Sequence, residues 1–245
     1  MKLSVIIPVY NEKDTVRELI ERTRVVPVEK EIIIVDDGST DGTRELLRQT
    51  YSQTPGVRLF FHENNRGKGS AIRTGIAEVS KDIVIVQDAD LEYDPNDFLL
   101  ILDKFKAPDV NVVYGTRFQK VSRIGFIGKW LQNKLFGAKH EIKRFHLFFG
   151  IQSLNVLANA LYGAGITDEA TCYKAFRRDV LQKINLRCTG FEFCPEVTAK
   201  VRKAGHKIHE VPISYRPRSA EEGKKLNWRH GVEAIWTLVK YRFTD

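Results

Sequence analysis

Apolar β-branched runs and polar, helix-like stretches alternate along the first half of the chain. Five runs, at 3–9 (LSVIIPV), 31–36 (EIIIVD), 57–62 (VRLFFH), 82–88 (DIVIVQD) and 110–115 (VNVVYG), are apolar almost throughout rather than at every second residue. Such runs predict strands buried on both faces. Segments of helical periodicity fill the gaps at 15–24, 41–51, 67–80 and 95–105. Asp14 is expected to cap the first, and Asp94 followed by Pro95 opens the fourth. The β-α-β-α order predicts an α/β fold with a mostly parallel sheet flanked by helices.

The second half reads differently. Residues 118–149 interleave Lys120, Arg123, Lys129, Lys134, Lys139, Lys143 and Arg144 with Phe126, Ile127, Trp130, Leu131 and Phe136. Glu141 is the one acidic residue among them. This pattern suits a basic amphipathic helical insertion apposed to a membrane. It suits equally a helical hairpin packed on the sheet with its lysines in water. Beyond it the pattern predicts a helix at 154–162, a strand at 170–176 and a helix at 195–205 closed by Gly205. A strand-like stretch at 206–218, a basic loop holding Lys224 and Lys225, and a last helix at 228–243 follow.

In open α/β sheets, ligands bind outside the carboxyl ends of the strands. Polar motifs stand at those ends here: PVYNE (8–12), DDGSTDGT (36–43), ENNRGKGSA (63–71), DADLE (88–92) and GTRF (115–118). Together they predict one site. If the chain stays extended past the fourth run, Asp88, Asp90 and Glu92 share one side. Three carboxylates so placed either hold a hard divalent cation or supply an acid–base pair. Gly67 and Gly69 permit a tight turn into a helix, in a loop that is neither Walker A nor GxGxxG. Asp36 and Asp37 can cap their turn or accept from a nucleobase N–H edge, and the binding role is assigned to Asp37.

Length and charge narrow the partners. At 245 residues the chain predicts a single domain, and 42% hydrophobic with 29% charged residues is ordinary for a folded protein. A formal charge of +8 calls for an anionic partner. No RNA- or DNA-binding motif appears, so no nucleic acid is expected. Cys172, Cys188 and Cys194 stand apart, which argues against zinc and against a disulfide framework. No apolar stretch approaches the ~18 residues that cross a bilayer. Met1 leads into a strand-like run and not a signal peptide. The expectation is a cytoplasmic chain, soluble or lying on a membrane without crossing it.

The motifs SVIIPVYNE, IIIVDDGSTDGT, NNRGKGSAIRTG, DADLEYDP and GTRF, in that order, resemble the inverting family 2 glycosyltransferases. With TDEATCYKAFRRDVL, GFEFCPEVTAKVRKAGHKIHEVPISY and RSAEEGKKLNWRHGVEAIW, the chain is most similar to the polyprenyl-phosphate branch, the dolichyl-phosphate mannose synthase-like sugar transferases. The resemblance covers nearly the whole chain. It implies a GT-A-type fold with a nucleotide-sugar half (1–117), a basic amphipathic membrane or acceptor segment (118–165) and an acceptor-side remainder (166–245).

The implied activity is metal-dependent, inverting transfer of one sugar, mannose or glucose. The donor would be a GDP- or UDP-sugar, and the acceptor a polyprenyl phosphate at the cytoplasmic membrane face. A glycan or other hydroxyl acceptor is the alternative. On this resemblance Pro8, Tyr10, Glu12, Asp37, Lys68, Ala89, Arg218 and Lys224 line the donor, and Asp88 is shared between ribose and metal. Asp90 and Glu92 hold Mg²⁺ or Mn²⁺, and Arg117 faces a phosphate. Arg144, Arg177 and Arg178 meet the acceptor phosphate. Glu192 or Glu196 serves as general base if the acceptor is a hydroxyl. The group often has glutamine where this chain has Glu92, and the added charge should tighten metal binding. The implied partners extend to an anionic membrane surface, with room for a membrane-embedded partner protein.

Overall fold

The computed structural model describes residues 1–118, 141–218 and 228–244, with backbone alone for 141–149 and 228. Seven strands form one sheet: β1 (Leu3–Val9), β2 (Lys30–Asp36), β3 (Val57–Phe61), β4 (Ile83–Val86), β5 (Val112–Thr116), β6 (Lys174–Arg177) and β7 (Ile208–Pro212). Their order across the sheet is β3-β2-β1-β4-β6-β5-β7. The described helices are α1 (Val16–Val25), α2 (Thr43–Tyr51), α3 (Lys68–Glu78), α4 (Phe98–Lys104), α5 (Glu141–Tyr162), α6 (Arg178–Lys183), α7 (Phe193–Lys203) and α8 (Trp228–Phe243). None of them is long and apolar enough to cross a membrane.

The continuous apolar runs are buried as their pattern demands. Every residue of β1, β4 and β5 is buried. α3 lies close on β1: a Cβ added at Gly75 would stand 2.5 Å from Ile6 Cγ2. The three cysteines are free, two of them buried. Of the two expected caps, one fails and one holds. α1 is capped by Thr15 without a side-chain bond, so Asp14 does not cap it. Asp94 does cap its turn, accepting from the N–H of Asn96.

All strands but β6 run one way. β6 lies antiparallel to both neighbours, pairing Ile83 with Arg177 and Tyr114 with Lys174. The carboxyl ends of the other strands therefore share an edge with the amino end of β6, while Arg177 falls at the opposite edge. The sheet is mostly parallel, as the alternation implies, with one reversed strand that the alternation does not reveal.

Candidate active site

β4 ends at Val86, and the chain then turns instead of running on extended. Leu91 adopts φ 61°, the left-handed region that side chains other than glycine's rarely enter. That turn separates the carboxylates. Asp88 Oδ1 lies 2.5 Å from Lys68 Nζ. Asp90 Oδ1 accepts from the Glu92 N–H at 3.1 Å. Glu92 Oε2 accepts from the Tyr215 hydroxyl at 2.9 Å, and its Oε1 from the Arg218 N–H at 2.8 Å. Each of Asp88, Asp90 and Glu92 therefore has its own partner in the turn. Glu92 pins the segment after β7 to the DADLE turn.

The electrostatics mark Asp90 as the strained group. Burial, then the Asp88 and Glu92 carboxylates, push its pKa up to about 7. Burial alone would lower the Lys68 pKa, but the adjacent Asp88 more than offsets it and raises the value. Among the described residues no three His, Cys, Asp or Glu side chains already converge on a metal position. Asp88 and Asp90 nevertheless fit a hard divalent cation. They offer oxygen donors, and the field that destabilises the Asp90 carboxylate is one that a cation would relieve. Glu92 accepts one hydrogen bond at each oxygen, from Tyr215 and Arg218, and keeps a lone pair on both.

Arg218 reaches back over this turn. Its Nε donates to the Asp90 carbonyl at 2.7 Å, and its Nη2 stands 2.9 Å from Glu12 Oε2. Glu12 also accepts from the Thr15 hydroxyl at 2.8 Å. Pro8 is buried within β1, Tyr10 lies exposed just past it, and Ala89 is buried. Lys224 and the Arg144 side chain lie outside the described residues, as do the side chains of the basic-aromatic stretch from 119 to 149.

At the end of β2, Asp37 has a local task. It accepts from the N–H groups of Arg66 and Gly67 at 2.9 and 2.7 Å, and meets His62 Nδ1 at 2.7 Å. It therefore shapes the loop into α3. Asp36 beside it is fully buried. Its Oδ2 takes Arg44 Nε at 2.9 Å, while its buried Oδ1 has no hydrogen-bond partner among the described residues.

Several other assignments move. Arg117 does not present itself to a phosphate: its Nε and Nη2 each lie 2.7 Å from Asp168, and its guanidinium stacks 4.9 Å from the Tyr215 ring. Arg177 and Arg178 lie at the far edge and donate to the carbonyls of Val110 and Ser80. They are too remote for an acceptor phosphate at the carboxyl edge. Glu196 is fully buried and accepts from the amides of Arg187 and Cys188 at 2.7 and 2.6 Å, with Lys200 Nζ at 2.6 Å. Burial works to raise its pKa, but those bonds hold it below the ordinary value. Glu192 accepts from the amides of Thr189 and Gly190 at 2.6 and 2.9 Å. Both glutamates brace one loop, and α3 packs against it through Gly67 and Gly69.

Sequence reasoning missed Asp168 and Glu210. Glu210 accepts from the Thr167 and Asp168 amides at 2.9 and 3.2 Å, and so fixes the aspartate that holds Arg117. The acidic pair Asp168–Glu169 precedes β6, and only the reversal of that strand brings it to the site edge.

Comparison with known proteins places this geometry. The profile of glycosyl transferase family 2 matches residues 4–184. A dolichol-phosphate mannosyltransferase of Pyrococcus furiosus is 29% identical over 226 residues, 91% of this chain and 59% of the relative. The low-salt glycan biosynthesis hexosyltransferase Agl6 of Haloferax volcanii is 26% identical over 93% of this chain and 52% of its own length. The dolichyl-phosphate beta-glucosyltransferase ALG5A of Trichomonas vaginalis is 29% identical over 97% of this chain and 72% of its own. The chain thus spans little more than half of the first two relatives. Among solved structures, glucosyl-3-phosphoglycerate synthase from Mycobacterium tuberculosis with Mn²⁺, uridine diphosphate and phosphoglyceric acid superposes with a TM-score of 0.70. It is 19% identical over 100% of this chain and 79% of that one. The fold is the GT-A fold, and the chain belongs to glycosyl transferase family 2.

Proposed function

We propose that the chain transfers a single sugar, with inversion, from a nucleoside-diphosphate sugar to a polyprenyl phosphate. The observation that carries this reading is the commitment of Glu192 and Glu196 to backbone amides. A hydroxyl acceptor needs a base to remove its proton. A phosphomonoester, with a second pKa near ~6, arrives already ionised and needs none. The names of the Pyrococcus and Trichomonas relatives support a lipid-phosphate acceptor.

In this reading Asp37 lies at the base edge, and Pro8 and Tyr10 line the base and ribose. Lys68 balances charge on the diphosphate. Arg218 holds Glu12 to the Asp90 turn along one wall of the donor site. Mg²⁺ or Mn²⁺ would sit on Asp88 and Asp90, where it would supply Lewis-acid charge to the leaving diphosphate. The mycobacterial synthase has been solved with Mg²⁺ and with Mn²⁺, which supports that choice. Lys224 and the basic-aromatic segment would serve the diphosphate and an anionic membrane surface.

The test is a panel of radiolabelled GDP- and UDP-sugars with a mixed polyprenyl phosphate acceptor. Label should pass to the lipid, and Glu192→Gln should retain transfer. Exclusive transfer to a sugar or protein hydroxyl, abolished in Glu192→Gln, would overturn the acceptor.

A further inference from the structure

α3 carries two chemistries on two faces. Lys68 turns inward to Asp88, and Gly75 packs on Ile6. At 3.6 residues per turn, Ser70, Arg73 and Thr74 lie on the opposite face, with Arg66 just ahead of the helix. That outer face borders two concavities of about 490 and 260 Å³ that meet at Arg73. The smaller is lined by Arg66, Ser70, Arg73 and Thr74, and Lys183 and Asn185 stand on the far wall of the larger. Among the described residues no acidic side chain lines either one. Arg66, Arg73 and Lys183 are exposed, and among the described residues none of them forms an ion pair. Arg44, Arg58, Arg117 and Arg218, by contrast, all have carboxylate partners.

We propose that this groove is a second anion site, separate from the donor site, that takes a small soluble molecule bearing a phosphate group. The Ser70 hydroxyl is occupied with the Arg66 carbonyl, and that of Thr74 with His62, so the recognition falls to the charged side chains. Guanidinium groups match phosphate oxygens with paired donors, and Lys183 adds a point charge across the gap. The larger concavity falls within the ~300–1,000 Å³ of small-molecule sites. Ala77, Ile184 and Leu186 give it an apolar floor for the body of a phosphate ester. The groove opens on the outer side of the helix, so it can fill while Lys68 remains on Asp88.

Residue-resolved NMR of the full chain tests this, with sodium pyrophosphate as the probe and EDTA present. Saturable shifts are expected at the amides of Ser70, Arg73, Thr74 and Asn185. The double variant Arg73→Glu, Lys183→Glu should weaken them at least tenfold, and Arg73→Gln, Lys183→Gln should fall between it and the wild type. All of these side chains are exposed, and matching thermal melts would confirm that the variants are folded. Shifts confined to residues 36–43 or 88–92, or a groove response unchanged in both variants, would overturn the site. A response to phosphatidylglycerol–phosphatidylcholine vesicles without one to pyrophosphate would overturn the soluble ligand.

Discussion

Asp90 is the residue whose environment makes the sharpest demands. With no cation bound, its carboxylate is buried between two others, and its pKa is pushed up to about 7 from 3.8. A raised carboxyl pKa means that the folded state holds a proton that the unfolded chain has released. Stability from this group is therefore present below pH 4 and lost as pH rises toward about 7. In EDTA at pH 8, Asp90→Asn should melt higher than the wild type, and the gap should narrow as pH falls and close only below pH 4. Thermal melts at the two pH values check the sign. The same substitution should reduce transfer at least 100-fold. Arg117 and Asp168 behave as the converse pair. Asp168→Asn leaves a buried guanidinium without its counter-charge and should cost about 3–5 kcal/mol in urea unfolding. The motifs pointed to Asp88 and Asp90 as chemistry-bearing residues. They could not say that Glu92, Asp37 and Arg117 also tie the fold together, because those partners are distant in sequence: Tyr215, the Gly67 amide and Asp168.

At the scale of elements, the loop from Arg187 to Gly190 is the joint between α3 and α7. Glu196 lies inside α7 and Glu192 at its start, and both reach back to the amides of that loop. Glu196→Ala would strand Lys200 and two amides, with an expected loss of about 3 kcal/mol by chemical denaturation. Because the Glu196 pKa is depressed, its contribution holds above the ordinary glutamate value of 4.5 and fades as pH falls below it. Glu192→Gln keeps one acceptor oxygen and should cost less than 1 kcal/mol in the same assay. Most elements were legible because buried parallel strands and amphipathic helices each leave a periodic trace. β1 and α8 match their sequence-predicted limits. β6 was placed roughly but its direction was not foreseen. Four residues of strand look alike read either way, and the direction is set by pairing with β4 and β5.

For the molecule as a whole, the formal charge of +8 has a spatial meaning. Many arginines of the sheet and donor edge are spent in ion pairs, so the basic-aromatic stretch and the outer face of α3 hold much of the charge left for partners. If the former meets a membrane, replacing Lys129, Lys134, Lys139 and Lys143 with glutamate should release the chain from anionic vesicles. Each basic residue near such a surface contributes about 1 kcal/mol. Unchanged sedimentation would reject this. The reversed strand has a consequence for how the chain assembles. β1, β2, β3 and β4 can pair as they emerge, since each finds a neighbour already made. β4 then presents a bare edge that β5 does not occupy, because β6 lies between them. During synthesis β5 must wait, unpaired, until Lys174–Arg177 has left the ribosome and slotted in beside it. The two parts of the sheet are thus joined by the insertion of its one antiparallel strand, with β7 then adding to the far side of β5, and a nascent chain stalled before residue 174 would carry an open, aggregation-prone margin.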